Sequence, residues 1–257
     1  MKTKGDIFMR FMRSIIEEYK VLLRSVPSTV IAAFVLSVVL MNLLAGREMY
    51  RSDWFCLNTG LSVSWISFLC MDVICKRFGQ RAANLISVLA MGVNIFCAVG
   101  FALLMKTPGR WAAFYSSSDP NIAQAITEGI DATFSGAWYV VAGSSIALFV
   151  SSLVNSFLNV RIGKTADNGR YSGFAIRSLL STCAGQFVDN FVFSALVSHV
   201  FFGWTWPQVL ICSFTSMIIE LVFEAVFSPL GYRIVQNWEK DEVGKNYVDL
   251  HPEVKPA

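Results

Sequence analysis

Apolar residues fall along this chain in long blocks, not at the strand or amphipathic-helix spacing of a soluble core. Six blocks stand out, over roughly 27–45, 58–75, 83–105, 136–159, 173–201 and 207–229. A helix needs about 20 apolar residues to cross a hydrocarbon layer of about 30 Å. The pattern therefore predicts an all-α membrane protein, a bundle of six transmembrane helices. Pro27 and Pro207 open the first and last blocks, where a helix does not miss the absent N–H.

Two helices are predicted outside the blocks. In residues 1–26, Phe8, Phe11, Met12, Ile15, Tyr19 and Leu22 recur at helical spacing among Lys2, Lys4, Arg10, Arg13, Lys20 and Arg24. That is the pattern of an amphipathic helix on an anionic membrane surface. In the 106–135 connection, Asp119-Pro120 reads as an N-cap and first turn, with Ile122, Ala125, Ile126 and Ile130 as an apolar stripe. A short helix there either packs on the outer mouth or acts as a mobile lid. The chain thus divides into an interfacial helix (1–26), a transmembrane domain (27–235) and a polar cytoplasmic tail (236–257).

Composition supports this division. Of 257 residues, 54% are hydrophobic and 15% charged, against about 25% charged in a soluble domain. The basic residues are unevenly placed. Sixteen Lys and Arg fall in the N-terminus, the 76–82 and 160–172 loops and the C-terminus, and four (Arg47, Arg51, Lys106, Arg110) on the other side. The positive-inside rule then puts the chain in the cytoplasmic (inner) membrane as a multi-pass protein with both termini inside. The six cysteines lack metal or redox spacing, and there are two histidines. No metal or cofactor is expected, and nothing points to nucleic acid.

Polar residues within the blocks carry the candidate chemistry, because a charge near mid-bilayer costs about 2.5–3.5 kcal/mol on insertion scales. The fifth block, FAIRSLLSTCAGQFVDNFVFSALVSHVFF, places Arg177, Ser181, Gly185 and Asp189 in steps of four. Ser178, Thr182, Gln186 and Asn190 run beside them. Lipid cannot solvate such a face, so it lines either a binding cavity or an interhelical hydrogen-bond network. Arg177 and Asp189 are about 18 Å apart along the axis and need different partners. Asp72 in the second block precedes Lys76 by four residues and is either a helix-end ion pair or a site residue. Glu220 and Glu224 in the last block call for a cation. Asn42 and Asn94 are either ligand contacts or packing glue. Gly143, Ala147 and Ser151 form a small-residue ridge for helix packing or a homodimer contact.

Four stretches resemble the vitamin uptake transporter family, whose members are queuosine precursor transporters. They are Asn42-Leu43, DVICKRFG with Asp72, RSLLSTCAGQFVDNFVF and SPLGY, within about residues 30–235. The fifth block is the most specific, with the family's Arg, Ser-Thr, Gln and Asp at Arg177, Ser181-Thr182, Gln186 and Asp189. The resemblance implies six helices, a fold similar to the substrate-binding subunits of energy-coupling-factor transporters, and import of 7-deazaguanine bases. Asp189 would accept from the base's N1–H and 2-amino group, and Gln186 and Asn94 would suit its carbonyl edge. Phe191, Phe193 and Trp65 are candidate stacking walls. Three positions depart from the family pattern: Lys76 stands for Glu, Glu220 for Lys and Asn190 for Thr. The swapped signs suggest an ion pair between Lys76 and Glu220.

The chain contains no G-x-x-x-x-G-K-[ST] phosphate-binding motif. The expected partners are a purine-like solute and the lipid bilayer. A binding subunit of an energy-coupling-factor complex is the alternative, with Ala33, Ser37 and Ala45 facing its partner. A rhomboid-type protease is a further alternative, but AGSSIAL lacks the second Gly and His199 sits at a helix edge.

Overall fold

The computed structural model describes residues 4–163 and 171–251. They are overwhelmingly helical. The N-terminal stretch forms α1 (Lys4–Ser25), and α2 (Ser28–Leu44) follows after Pro27. The two meet at 107°. Helix α3 (Leu61–Leu104) is 44 residues long and breaks at Gly79, whose φ of 85° and ψ of 166° lie outside helical space. A loop expected over 76–82 is thus reduced to a single glycine, because only a residue without Cβ makes that turn cheaply. Residues 71 and 87 would be about 24 Å apart in a straight helix, yet Ser87 Oγ donates to Met71 Sδ at 3.2 Å. The two halves of α3 therefore fold back on one another.

Beyond α3, a short 3-10 turn (Ala112–Ser116) leads to α4 (Pro120–Ser135). Asp119 caps α4 as expected, its carboxylate accepting from Asn121 N at 2.8 Å. The buried face differs from the expected stripe: Ala123 and Thr127 are buried while Ile122 is 54% exposed. Then come α5 (Ala137–Gly163), α6 (Tyr171–Phe193), a π-helical turn (Ser194–Ser198), the three-residue α7 (His199–Phe201), α8 (Trp206–Lys240) and α9 (Lys245–Leu250). The last apolar block was expected to end at 229. Instead α8 continues through Pro229 to Lys240, so the stretch read as a polar tail holds the end of α8 and all of α9. Pro removes one helical hydrogen bond, which membrane helices tolerate when neighbours satisfy the backbone.

By length and apolarity, three helices among the described residues are long enough to cross a membrane: Leu61–Leu104, Pro120–Ser151 and Trp206–Phe227. Counting the bent Met12–Ser25 and Ser28–Leu44 pair as one gives four. The chain is an all-α membrane protein, in line with its composition.

Packing divides the chain into two compact units. One gathers the described residues of Met1–Val38, Ile66–Gly92 and Glu224–Ala257. Its core is built on Leu22, Phe34, Ile74, Phe78, Ile86 and Tyr247. Phe78 lies between Trp238 and Tyr247, with ring centroids 5.9 and 6.2 Å away. Gly244, with φ of 66°, presses against the same ring, and a side chain there would collide with it. Gly231 of the SPLGY stretch faces Leu69, Val73 and Asp72, so its missing Cβ lets α8 approach α3.

The other unit gathers Val39–Trp65 and the described residues of Val93–Phe223. It contains a two-stranded hairpin, β1 (Glu48–Arg51) and β2 (Cys56–Asn58), which the apolar pattern does not announce. Long-range bonds pin it: Gln208 Nε2 to Ser52 O at 2.6 Å, Trp204 Nε1 to Glu48 Oε1 at 2.7 Å, and Cys56 N to Cys212 Sγ at 2.9 Å. Nearby, α4 is held by the Trp111 indole, which donates to Asp131 at 2.7 Å and stacks on Phe134. The small-residue ridge of α5 is spent within the chain. Gly143 abuts Val197 so closely that any Cβ would collide, Ala147 is buried, and Ser151 reaches α6.

Candidate functional site

The polar face of α6 is where the second unit gathers its chemistry. Asp189 and Asn190 are half-buried there. Ser151 Oγ on α5 donates to Asp189 Oδ1 at 3.0 Å while also contacting Leu148 O at 3.1 Å. On the other flank, Asn190 Nδ2 donates to Glu220 Oε2 on α8 at 2.9 Å and to Gln186 O at 3.0 Å. Glu220 is 6% exposed. Three helices thus converge on two acids, linked by one hydroxyl and one amide.

Among the polar atoms of this unit that are closed off from solvent without a partner are Gln186 Oε1 and Asn42 Nδ2. A buried unsatisfied polar group costs about 1–3 kcal/mol. Gln186 lies one helical turn before Asp189 and Asn190, on the same side of α6. Its oxygen is a buried acceptor without a partner. Asn42 on α2 and Asn94 on α3 are both buried in this unit.

Among the described residues, neither Asp189 nor Glu220 forms an ion pair. Arg177 is on α6, but its side chain lies outside the described residues, and its backbone is about 18 Å from Asp189 along the axis. The expected partners Lys76 and Glu220 each meet another group. Lys76 Nζ holds Asp72 Oδ2 at 2.7 Å across one turn of α3, and Glu220 takes the Asn190 amide. One helical turn puts Asp72 within reach of Lys76, and Glu220 meets a neutral donor in the Asn190 amide. Asp72 and Lys76 belong to the first compact unit.

Several features escaped the sequence reading. Ser151 was visible as part of a packing ridge but not as a hydrogen-bond donor to Asp189. The π-helical turn at Ser194–Ser198, immediately past Asn190, has no sequence signature of its own; such turns are frequent at functional sites. Ser198 is fully buried within it and its Oγ has no partner. Two of the aromatic candidates, Phe191 and Phe193, pack against neighbouring side chains. Phe191 stacks on Phe187, 6.0 Å away, and Phe193 packs beside Val140 and Val197. His199 Nδ1 donates to Trp204 O at 2.5 Å, and Ser145 Oγ donates to Val141 O at 2.8 Å, so both side chains serve local structure. Among the described residues, no group of His, Cys, Asp and Glu is placed to hold a metal ion.

The family model for vitamin uptake transporters matches residues 58–234. No curated protein and no solved structure matches the chain.

Proposed function

The chain belongs to the vitamin uptake transporter family, and from that premise we propose that it imports a queuosine precursor, a 7-deazaguanine base or its nucleoside. The observation that supports this reading is the acceptor-rich group of Asp189, Glu220 and Gln186 on adjoining helices. A guanine-like edge presents N1–H and a 2-amino group side by side, and a carboxylate accepts both. Asp189 takes that edge. The amides of Gln186 and Asn94 serve the neighbouring carbonyl side, and Asn42 offers its unpaired N–H.

In this reading the polypeptide crosses the cytoplasmic membrane six times. The crossings are α2, the two halves of α3 on either side of Gly79, α5, α6 with its π turn, and the apolar part of α8. Both termini are cytoplasmic, following the placement of Lys and Arg. Helix α1, at 107° to α2, then runs along the membrane surface. Arg10, Arg13, Lys20 and Arg24 are exposed on it, and so are Met9, Met12, Ile16 and Leu23. The alternative, a passive subunit docking through α2, has less to stand on. Ser37 and Ala45 are already buried within the chain, and Ala33 packs against its core.

The test is uptake in a host that can neither make nor import deazaguanines. Expression with a fed precursor should restore the modified base in tRNA. Failure with every precursor would remove this reading.

A further inference from the structure

Cys56 and Cys212 are 156 positions apart in the chain, yet the fold brings them into contact within the second unit. Cys56 opens β2, and Cys212 lies in the first two turns of α8. With both thiols reduced, Cys56 N donates to Cys212 Sγ at 2.9 Å, and the Cys212 thiol donates back to Cys56 O. One sulfur thus sits against the backbone of the other cysteine. Bond lengths on either side of that contact keep the two Cα atoms within about 7 Å even if every bond lay in line, and real bond angles shorten this. Disulfides bridge Cα atoms about 4.4–6.8 Å apart. The approach does not depend on one side chain. Trp204 Nε1 to Glu48 Oε1 and Gln208 Nε2 to Ser52 O hold the same hairpin to the start of α8. Both cysteines are buried there, beside Trp204 and Val209.

With both termini in the cytoplasm, the hairpin joins α2 to α3 on the outer side, and α8 starts from that side. Thiols there meet an oxidising compartment, whereas cytoplasmic thiols are kept reduced. We propose that Cys56 and Cys212 are oxidised to a disulfide that ties the hairpin to α8. The inference rests on the orientation proposed above. The oxidant is a thiol–disulfide exchange protein of the outer compartment, in its disulfide form. One cysteine thiolate attacks that disulfide, forming a mixed disulfide and releasing one thiol of the oxidant. The second cysteine thiolate attacks the chain's own sulfur in the mixed disulfide and releases the other thiol. The chain gives up two protons and two electrons, and the oxidant's S–S bond becomes two S–H groups. The docked hairpin shuts both cysteines off from solvent, so the exchange precedes docking. A link across 156 positions then restricts the unfolded chain more than a link across a short loop would.

Thiol mapping on the full-length protein tests this. Cells are quenched with N-ethylmaleimide before lysis, and the protein is denatured in the same reagent without reductant and read by peptide mass spectrometry. Four of the six cysteines should be alkylated. Cys56 and Cys212 should be recovered as one linked pair of peptides that a reductant separates. In Cys56→Ser, Cys212 should become alkylated. Alkylation of Cys56 and Cys212 in the unmodified protein overturns the inference, as does a link from either one to a different thiol. Orientation is read separately with Tyr115→Cys in a chain that also carries Cys56→Ser and Cys212→Ser. Tyr115 is exposed on the connection between α3 and α4. Labelling of intact cells by a membrane-impermeant maleimide places that connection outside. Free Cys56 and Cys212 together with a labelled Tyr115→Cys overturn the disulfide and leave the orientation standing. Free Cys56 and Cys212 with an unlabelled Tyr115→Cys overturn both.

Discussion

Asn190 on α6 hands its amide to the carboxylate of Glu220 on α8, 2.9 Å away, and so ties the acid to the helix that also carries Asp189. The bond gives Glu220, which is 6% exposed, a donor within the helix packing. It also fixes the direction of the site, because the amide spends its N–H on Glu220 and on Gln186 O. The oxygens left over on Asp189, Glu220 and Gln186 are acceptors. The group therefore favours donor-rich ligands and disfavours acceptor-rich ones.

Asp189→Asn is the direct test of the site. The substitution keeps size and keeps an oxygen for Ser151, but replaces one acceptor with a donor and removes the charge. A hydrogen bond to a charged group contributes about 1.5–3 kcal/mol, and a guanine-like edge would make two. Uptake should fall at least tenfold, with an unchanged size-exclusion profile in detergent. Uptake at the original rate would remove Asp189 from the site.

How much of this was legible beforehand varies by residue. Gln186, Asp189 and Asn190 stood out because polar residues in an apolar block are expensive and their spacing put them on one side of a helix. Glu220 stood out equally, but its partner did not. Charge alone argued for Lys76, whereas the structure uses a neutral amide from Asn190 and gives Lys76 to Asp72. A serine on a small-residue ridge reads the same whether it packs or bonds, so the role of Ser151 was hidden. The β1–β2 hairpin was hidden for another reason. Its strands have four and three residues, too short for an alternation, and its anchors Trp204, Gln208 and Cys212 lie 156 positions away from Glu48, Ser52 and Cys56.

Gly79 makes a stability prediction. Its φ of 85° with ψ of 166° belongs to a region that only glycine enters readily. Gly79→Ala should cost about 1–3 kcal/mol. It should lower the unfolding midpoint of the purified protein in detergent by several degrees. An unchanged midpoint would mean that α3 can fold back without this turn.

Gly143 makes a second, with an internal control. Even one carbon there collides with Val197 in the π turn. Gly143→Ala should destabilise by about 1–3 kcal/mol through overpacking. Val197→Ala removes the colliding methyls, so the double variant should recover part of the loss. Residues in contact couple by about 0.5–3 kcal/mol. Strict additivity of the two effects in thermal unfolding would show that α5 and the π turn do not meet as described.

Glu18 predicts a pH dependence outside the membrane-spanning helices. Arg81 grips its carboxylate with two bonds, Nε to Oε1 at 2.6 Å and Nη2 to Oε2 at 2.7 Å. Tyr247 Oη donates to Oε1 at 3.2 Å, and His251 Nε2 lies 3.6 Å off. The Arg81 hydrogen bonds come first among the causes that hold this carboxyl below its ordinary value of 4.5. A group with a lowered folded pKa stabilises fully above its unfolded pKa and loses that contribution as pH falls through the folded one. The window is therefore acidic, beginning near the ordinary carboxylate range. Acidification from pH ~7 to ~3 should loosen the contact of α9 with α1. Limited proteolysis with an acid-tolerant protease would register it as earlier cleavage around Tyr247. In Glu18→Gln the same cleavage should already occur at neutral pH and change little on acidification. Parallel acid profiles for the two proteins would assign the loosening to other carboxylates.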